Sequence, residues 1–138
     1  MNVLPIITPM LQTTVPDTLR PYIRPSAVVL PEKGAEFPMR MRKVSLKRWL
    51  LIDVLLNPKE HMSFESHGYL PRVVFSEDTI EHTQPRGFEW VLSSWQSVEH
   101  PELNPFVSQN SVYHLIGPGT HVAMGWRNFA RLLELRPN

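Results

Sequence analysis

"MRMRKVSLKRWLLIDVLLNPKE", residues 39–60, is the stretch on which the reading of the fold turns. Arg40, Arg42, Lys43, Lys47 and Arg48 crowd its first half, and Trp49, Leu50, Leu51, Ile52, Val54, Leu55 and Leu56 fill the second. Two periodicities compete for it. Ser45 suits a helix N-cap, Asn57-Pro58 reads as a stop, and the interior is apolar nearly all round, which fits a buried helix over 45–56. Val44, Leu46, Leu50, Ile52, Val54 and Leu56 also alternate as a strand would. We read a helix, with 39–44 as an incoming strand. The cations then stand at the rim of the core. In the first turn of a helix they oppose its dipole by roughly 0.3 kcal/mol or more each, so this rim calls for negative charge on a partner.

Working outward, 138 residues make one domain by length, with room for a real core. A composition 42% hydrophobic and 20% charged is that of a globular chain. Cysteine is absent, which excludes disulfides, thiolate metal sites and cysteine nucleophiles and agrees with a cytoplasmic location. No run of about 18 apolar residues predicts a membrane span, and the N-terminus lacks the charged and apolar regions of a signal peptide. The net charge of +1 is unevenly spread. Residues 1–60 hold nine Lys/Arg and five Asp/Glu, a balance of +4; residues 61–138 hold five and eight, a balance of −3. Opposed ends of this kind favour contacts between copies or between the halves of one copy.

Residues 1–38 read as an extended proline-rich arm. Pro5, Pro9, Pro16, Pro21, Pro25, Pro31 and Pro38 recur every four to seven positions, fixing φ and removing backbone donors, so helix is excluded and a central strand disfavoured. The arm is nevertheless apolar. Leu4, Ile6, Ile7, Met10, Leu11, Tyr22 and Ile23 call for burial against this domain or a neighbouring subunit. Residues 39–138 read as a compact α+β domain with two or three helices and a small antiparallel sheet. In it, Arg72–Phe75 is a strand; Phe88, Val91, Leu92 and Trp95 make one stripe of a helix; "SVYHLIGPGTHVAMG" (111–125) is a hairpin about Gly117-Pro118-Gly119; and "GWRNFARLLELRPN" (125–138) is an amphipathic helix.

The chemistry-bearing residues do not form a recognisable catalytic set. Six histidines are present, but the helical H-E-x-x-H spacing is not. His114 and His121 are the best metal candidates, since strands of a hairpin would let them face each other. No nucleophile elbow or phosphate-binding loop occurs, and no cofactor is expected. Arg86, beside Gly87 at a helix start, is an anion candidate alongside Arg40, Arg42, Lys43, Lys47 and Arg48. Those five lack interleaved aromatics and facial spacing, which weakens a nucleic-acid reading. The sequence therefore points first to a non-catalytic interaction or assembly protein, a small structural or accessory subunit of the kind found in virions, with a protein partner or a second copy of itself. A nucleic-acid-associated protein using 40–48 and a small metal-dependent enzyme using His114 and His121 are the alternatives.

Overall fold

The computed structural model describes residues 22–26, 37, 41–81 and 90–134. Among these described residues, eleven strands and two helices follow in order: β1 (Tyr22–Ser26), β2 (Arg42–Lys47), β3 (Leu50–Leu55), α1 (Pro58–Ser66), β4 (Tyr69–Leu70), β5 (Arg72–Ser76), β6 (Asp78–Glu81), β7 (Val91–Leu92), β8 (Gln96–Ser97), β9 (Phe106–Val107), β10 (Ser111–Ile116), β11 (Gly119–Gly125) and α2 (Trp126–Leu133). The fold is sheet-dominated, which corrects the α+β expectation. A five-stranded sheet runs β1-β11-β3-β5-β7, a four-stranded sheet β6-β2-β10-β9, and β4-β8 form a short ribbon. A single bridge, Gln96 to Ser108, joins that ribbon to the end of β9.

The opening stretch is where the helix expectation fails. It forms two strands that turn a corner, β2 in the four-stranded sheet and β3 in the five-stranded one. Arg48, at φ 48°, makes the turn and breaks the alternation of the side chains. Val44 and Leu46 join Trp49 and Leu51 in one cluster between the sheets, while Leu50, Ile52 and Val54 enter a second cluster under α2. A strand buried on both faces reads as a continuous apolar run, which periodicity cannot tell from a buried helix.

Three long strands cross this corner together. β5 continues into β6 beside β3 and β2, in an antiparallel ladder that keeps one register throughout: Asp53↔Arg72, Leu50↔Phe75, Lys47↔Asp78 and Val44↔Glu81. On the other side β10 and β11 run parallel to β2 and β3. Ser111 pairs with Arg42 and Thr120 with Leu50, so the offset grows from 69 to 70 residues at the bend. The Gly117-Pro118-Gly119 turn supplies the extra residue. This corrects the hairpin expectation, because β10 and β11 belong to different sheets and pair with β2 and β3. Trp49 fills the inside of the corner, 1% exposed, its indole Nε1 donating to Gly117 O at 3.0 Å. Ser76 ties the third strand in, its hydroxyl donating to Lys47 O and accepting from the Asp78 amide at 3.0 Å.

Two more expectations change. The stripe expected as a helix over Phe88–Trp95 yields β7 at Val91–Leu92, with 82–89 outside the described residues. Asn57-Pro58 begins a helix instead of ending one. Asn57 Oδ1 accepts from the Glu60 amide at 2.8 Å and Glu60 Oε1 accepts from the Asn57 amide at 3.2 Å, a capping box with proline at the first helical position. The strand expected at Arg72–Phe75 appears as Arg72–Ser76, and the helix expected within 125–138 appears as Trp126–Leu133, burying Phe129 and Leu132 against β3 and β11, with 135–138 outside the described residues.

Candidate functional site

One acid interrupts the apolar strand β3. Asp53 shares a sheet face with Leu51, and that face looks toward the four-stranded sheet. Arg72 lies directly across from it on β5, and His121 reaches it diagonally from β11. Arg72 Nε donates to Asp53 Oδ1 at 2.5 Å and His121 Nε2 donates to Oδ2 at 2.6 Å. A carboxylate can only accept, so Nε2 carries the imidazole proton. Arg72 continues the network through a long 3.5 Å contact to Gln96 Oε1. Gln96, fully buried, donates to the carbonyls of His100 at 3.1 Å and Glu102 at 2.8 Å.

This arrangement sets the charge of Asp53. Burial pushes its carboxyl upward, but hydrogen bonds from His121 and Arg72, with their positive charge, outweigh it and bring the group down to about 2. Three side chains, each about a quarter exposed or less, thus tie β11, β3 and β5 at one level. β1 extends the same row, since its register places Arg24 opposite His121. A cavity of about 270 Å³ opens beside it, walled by Asp53, Arg72, Pro71 and His61. Chemically, an imidazole oriented by a carboxylate is one half of an acid–base device. Arg72 on the second oxygen makes the group equally an ionic tie across three strands.

A second, larger cleft of about 460 Å³ lies at the far end of the four-stranded sheet, over β4, β8 and β9. Tyr69 donates to Gln109 Oε1 at 3.0 Å, and the Phe37 ring packs edge-on against His100 at 5.3 Å. His67 Nδ1 donates to Ser63 O at 2.7 Å, and Glu99 is exposed on the rim.

The residues singled out from sequence are scattered by this topology. Arg42 points to the side of Val44 and Leu46, while Lys43 and Lys47 take the opposite face of β2 and Arg48 sits on the corner. Arg48 is 3.9 Å from Asp78, so part of the basic rim meets the acidic half of its own chain. His114 lies on the face of β10 away from Tyr113 and Leu115, whereas His121 lies on the inner face of β11. The two therefore do not share a face. Among the described residues no group of three or more His, Asp or Glu is placed to hold a metal. Tyr22 and Ile23 belong to β1; Leu4, Ile6, Ile7, Met10, Leu11, Arg40 and Arg86 lie outside the described residues. Asp53 and Arg72 are what sequence reasoning missed. The available signal was the lone acid within an otherwise apolar "WLLIDVLL", which only a partner could make tolerable.

Residues 30–131 match the family model described as a domain of unknown function, DUF6957. No curated protein and no solved structure matches the chain. The matched span holds Asp53, Arg72 and His121; strand β1 precedes it.

Proposed function

The chain belongs to the DUF6957 family, and we propose that this member is a non-catalytic interaction or assembly protein whose N-terminal arm is its contact device. One observation carries the reading. β1 adds to the edge of β11 over five residues, from Tyr22↔Ala123 to Ser26↔Gly119, while Ile23, Arg24 and Pro25 stay exposed. A strand attached by its backbone ladder, with its three central side chains exposed, fits the mode by which extended segments dock on sheet edges. Pro25 is acceptable there because an edge strand has one unpaired side. The apolar residues Leu4, Ile6, Ile7, Met10 and Leu11 precede this strand and supply further contact chemistry. The partner is a protein, either a second copy or another subunit. Separation of the basic residues onto both faces of β2 weighs against the nucleic-acid alternative.

Deletion of residues 1–30 tests the proposal. Light scattering after size-exclusion chromatography should show loss of the assembled species, and the β11 edge should gain amide exchange. A truncated protein that keeps both its mass and its thermal stability overturns it.

A further inference from the structure

The cleft over β4, β8 and β9 has walls pinned where a surface loop would ordinarily be loose. Buried Gln96 holds the backbone of 97–102 from below through the carbonyls of His100 and Glu102. Ser97 Oγ accepts from the Glu99 amide at 3.3 Å and Ser97 O from the His100 amide at 3.1 Å, while the Val98 amide donates to Gly68 O at 3.0 Å. Helix α1, which buries none of its residues, ends against the same cleft, the amides of His67 and Gly68 donating to carbonyls of its last turn. A wall fixed in this way is preorganised, and about 460 Å³ is a volume that small-molecule sites occupy.

The hydrogen-bonding balance of that wall indicates what chemistry it would hold. The amides of Gly68, Val98, Glu99 and His100 are all spent on the protein itself, so they form no cradle for an anion. Tyr69 spends its hydroxyl proton on Gln109 and keeps its oxygen lone pairs. His67 spends Nδ1–H on Ser63 O, which makes Nε2 of the neutral ring an acceptor. Among the described residues Glu99 supplies a carboxylate on the rim, and no Lys or Arg lines the cleft. Helix α1 adds to this balance, because its C-terminal pole is negative and no basic side chain stands in its last turn to offset it. The rings of Phe37 and Tyr69 are aromatic faces of the kind that attract cations. We propose that this cleft binds a small organic ammonium compound, a primary amine on an aromatic or apolar body, with Glu99 on its charge and Tyr69 and Phe37 against its body. The site is separate from the arm and does not depend on the assembly reading.

Nuclear magnetic resonance of the full chain titrated with phenethylamine to about 10 mM, a range that reaches weak small-molecule binding, tests it. The amine should shift the amides of 67–69 and 97–100 saturably. Phenylacetate, of similar shape and opposite charge, should not bind there, and 2-phenylethanol, which keeps the ring and loses the charge, should bind about threefold more weakly or worse. Glu99→Gln, at an exposed position, should weaken the amine about threefold or more. Glu134→Gln removes the same charge from the exposed end of α2 and should leave the affinity unchanged. No saturable shift at those amides overturns the proposal, as does phenylacetate or 2-phenylethanol binding as tightly as the amine. An affinity that Glu99→Gln leaves intact, or that Glu134→Gln lowers equally, overturns it too.

Discussion

A Cβ on Gly119 would fall within the indole ring of Trp49 and against its carbonyl, and neither can retreat. The ring is enclosed and held by Gly117 O, and the carbonyl accepts from the Thr120 amide at 2.9 Å. Gly119→Ala should therefore cost about 3 kcal/mol, seen as a lower urea midpoint with an unchanged slope. Gly117 differs in kind. Its φ is +73° with nothing near the missing Cβ, so Gly117→Ala should cost only about 1–2 kcal/mol of left-handed strain. Asp53 makes a pH-dependent contribution. Its folded value of about 2 lies below the ordinary 3.8, so the unfolded chain binds the proton more readily. The stabilisation, about 2 kcal/mol, is complete above about pH 4 and is lost as pH falls toward 2. Urea titrations should show the gap between wild type and Asp53→Asn closing over that interval. A constant gap would mean that the carboxylate's charge is not what Arg72 and His121 hold.

At the scale of elements, the legible parts were those whose periodicity one core explains. α2 has a single buried stripe, and Arg72–Ser76 is a short β-rich run ended by a corner residue that its hydroxyl helps to build. β3 was opaque because it serves two cores at once and so loses the alternation that marks a strand. α1 was hidden for the opposite reason, since its mean composition is polar and no apolar stripe advertises it. The capping signal was present in Asn57-Pro58-Lys59-Glu60, but an Asn-Pro pair also ends elements, and the preceding leucines favoured that use. With so little burial, α1 depends on its cap. Asn57→Ala should cost about 1 kcal/mol locally, and hydrogen exchange should show faster amides over 60–64 while those of β3 and β11 keep their protection.

For the whole molecule, composition bounded the size of the core and excluded thiol chemistry, but long-range pairing was beyond it. Nothing local in Ser111–Ile116 says that it lies parallel to a strand 69 residues earlier. The hairpin expected around Gly117 shows why: its turn residues are real, but they turn the chain from one sheet into the other. His114 and His121 were separated by that step, and Asp53, Arg72 and His121 were brought together by it from three strands. The charge asymmetry has a visible internal outlet in Arg48 and Asp78, a loose exposed pair that contributes little by itself.

The corner carries a mechanical consequence. Three continuous chain segments pass from one sheet to the other, so the two hydrophobic clusters have no hinge between them at which either could open independently. Pulling β3 out of its cluster under α2 drags β2 out of the cluster between the sheets, and Trp49 with it. The molecule has two cores but a single unit of failure, which leaves mobility to the parts hung on its outside: the edge strand β1 and the helix α1.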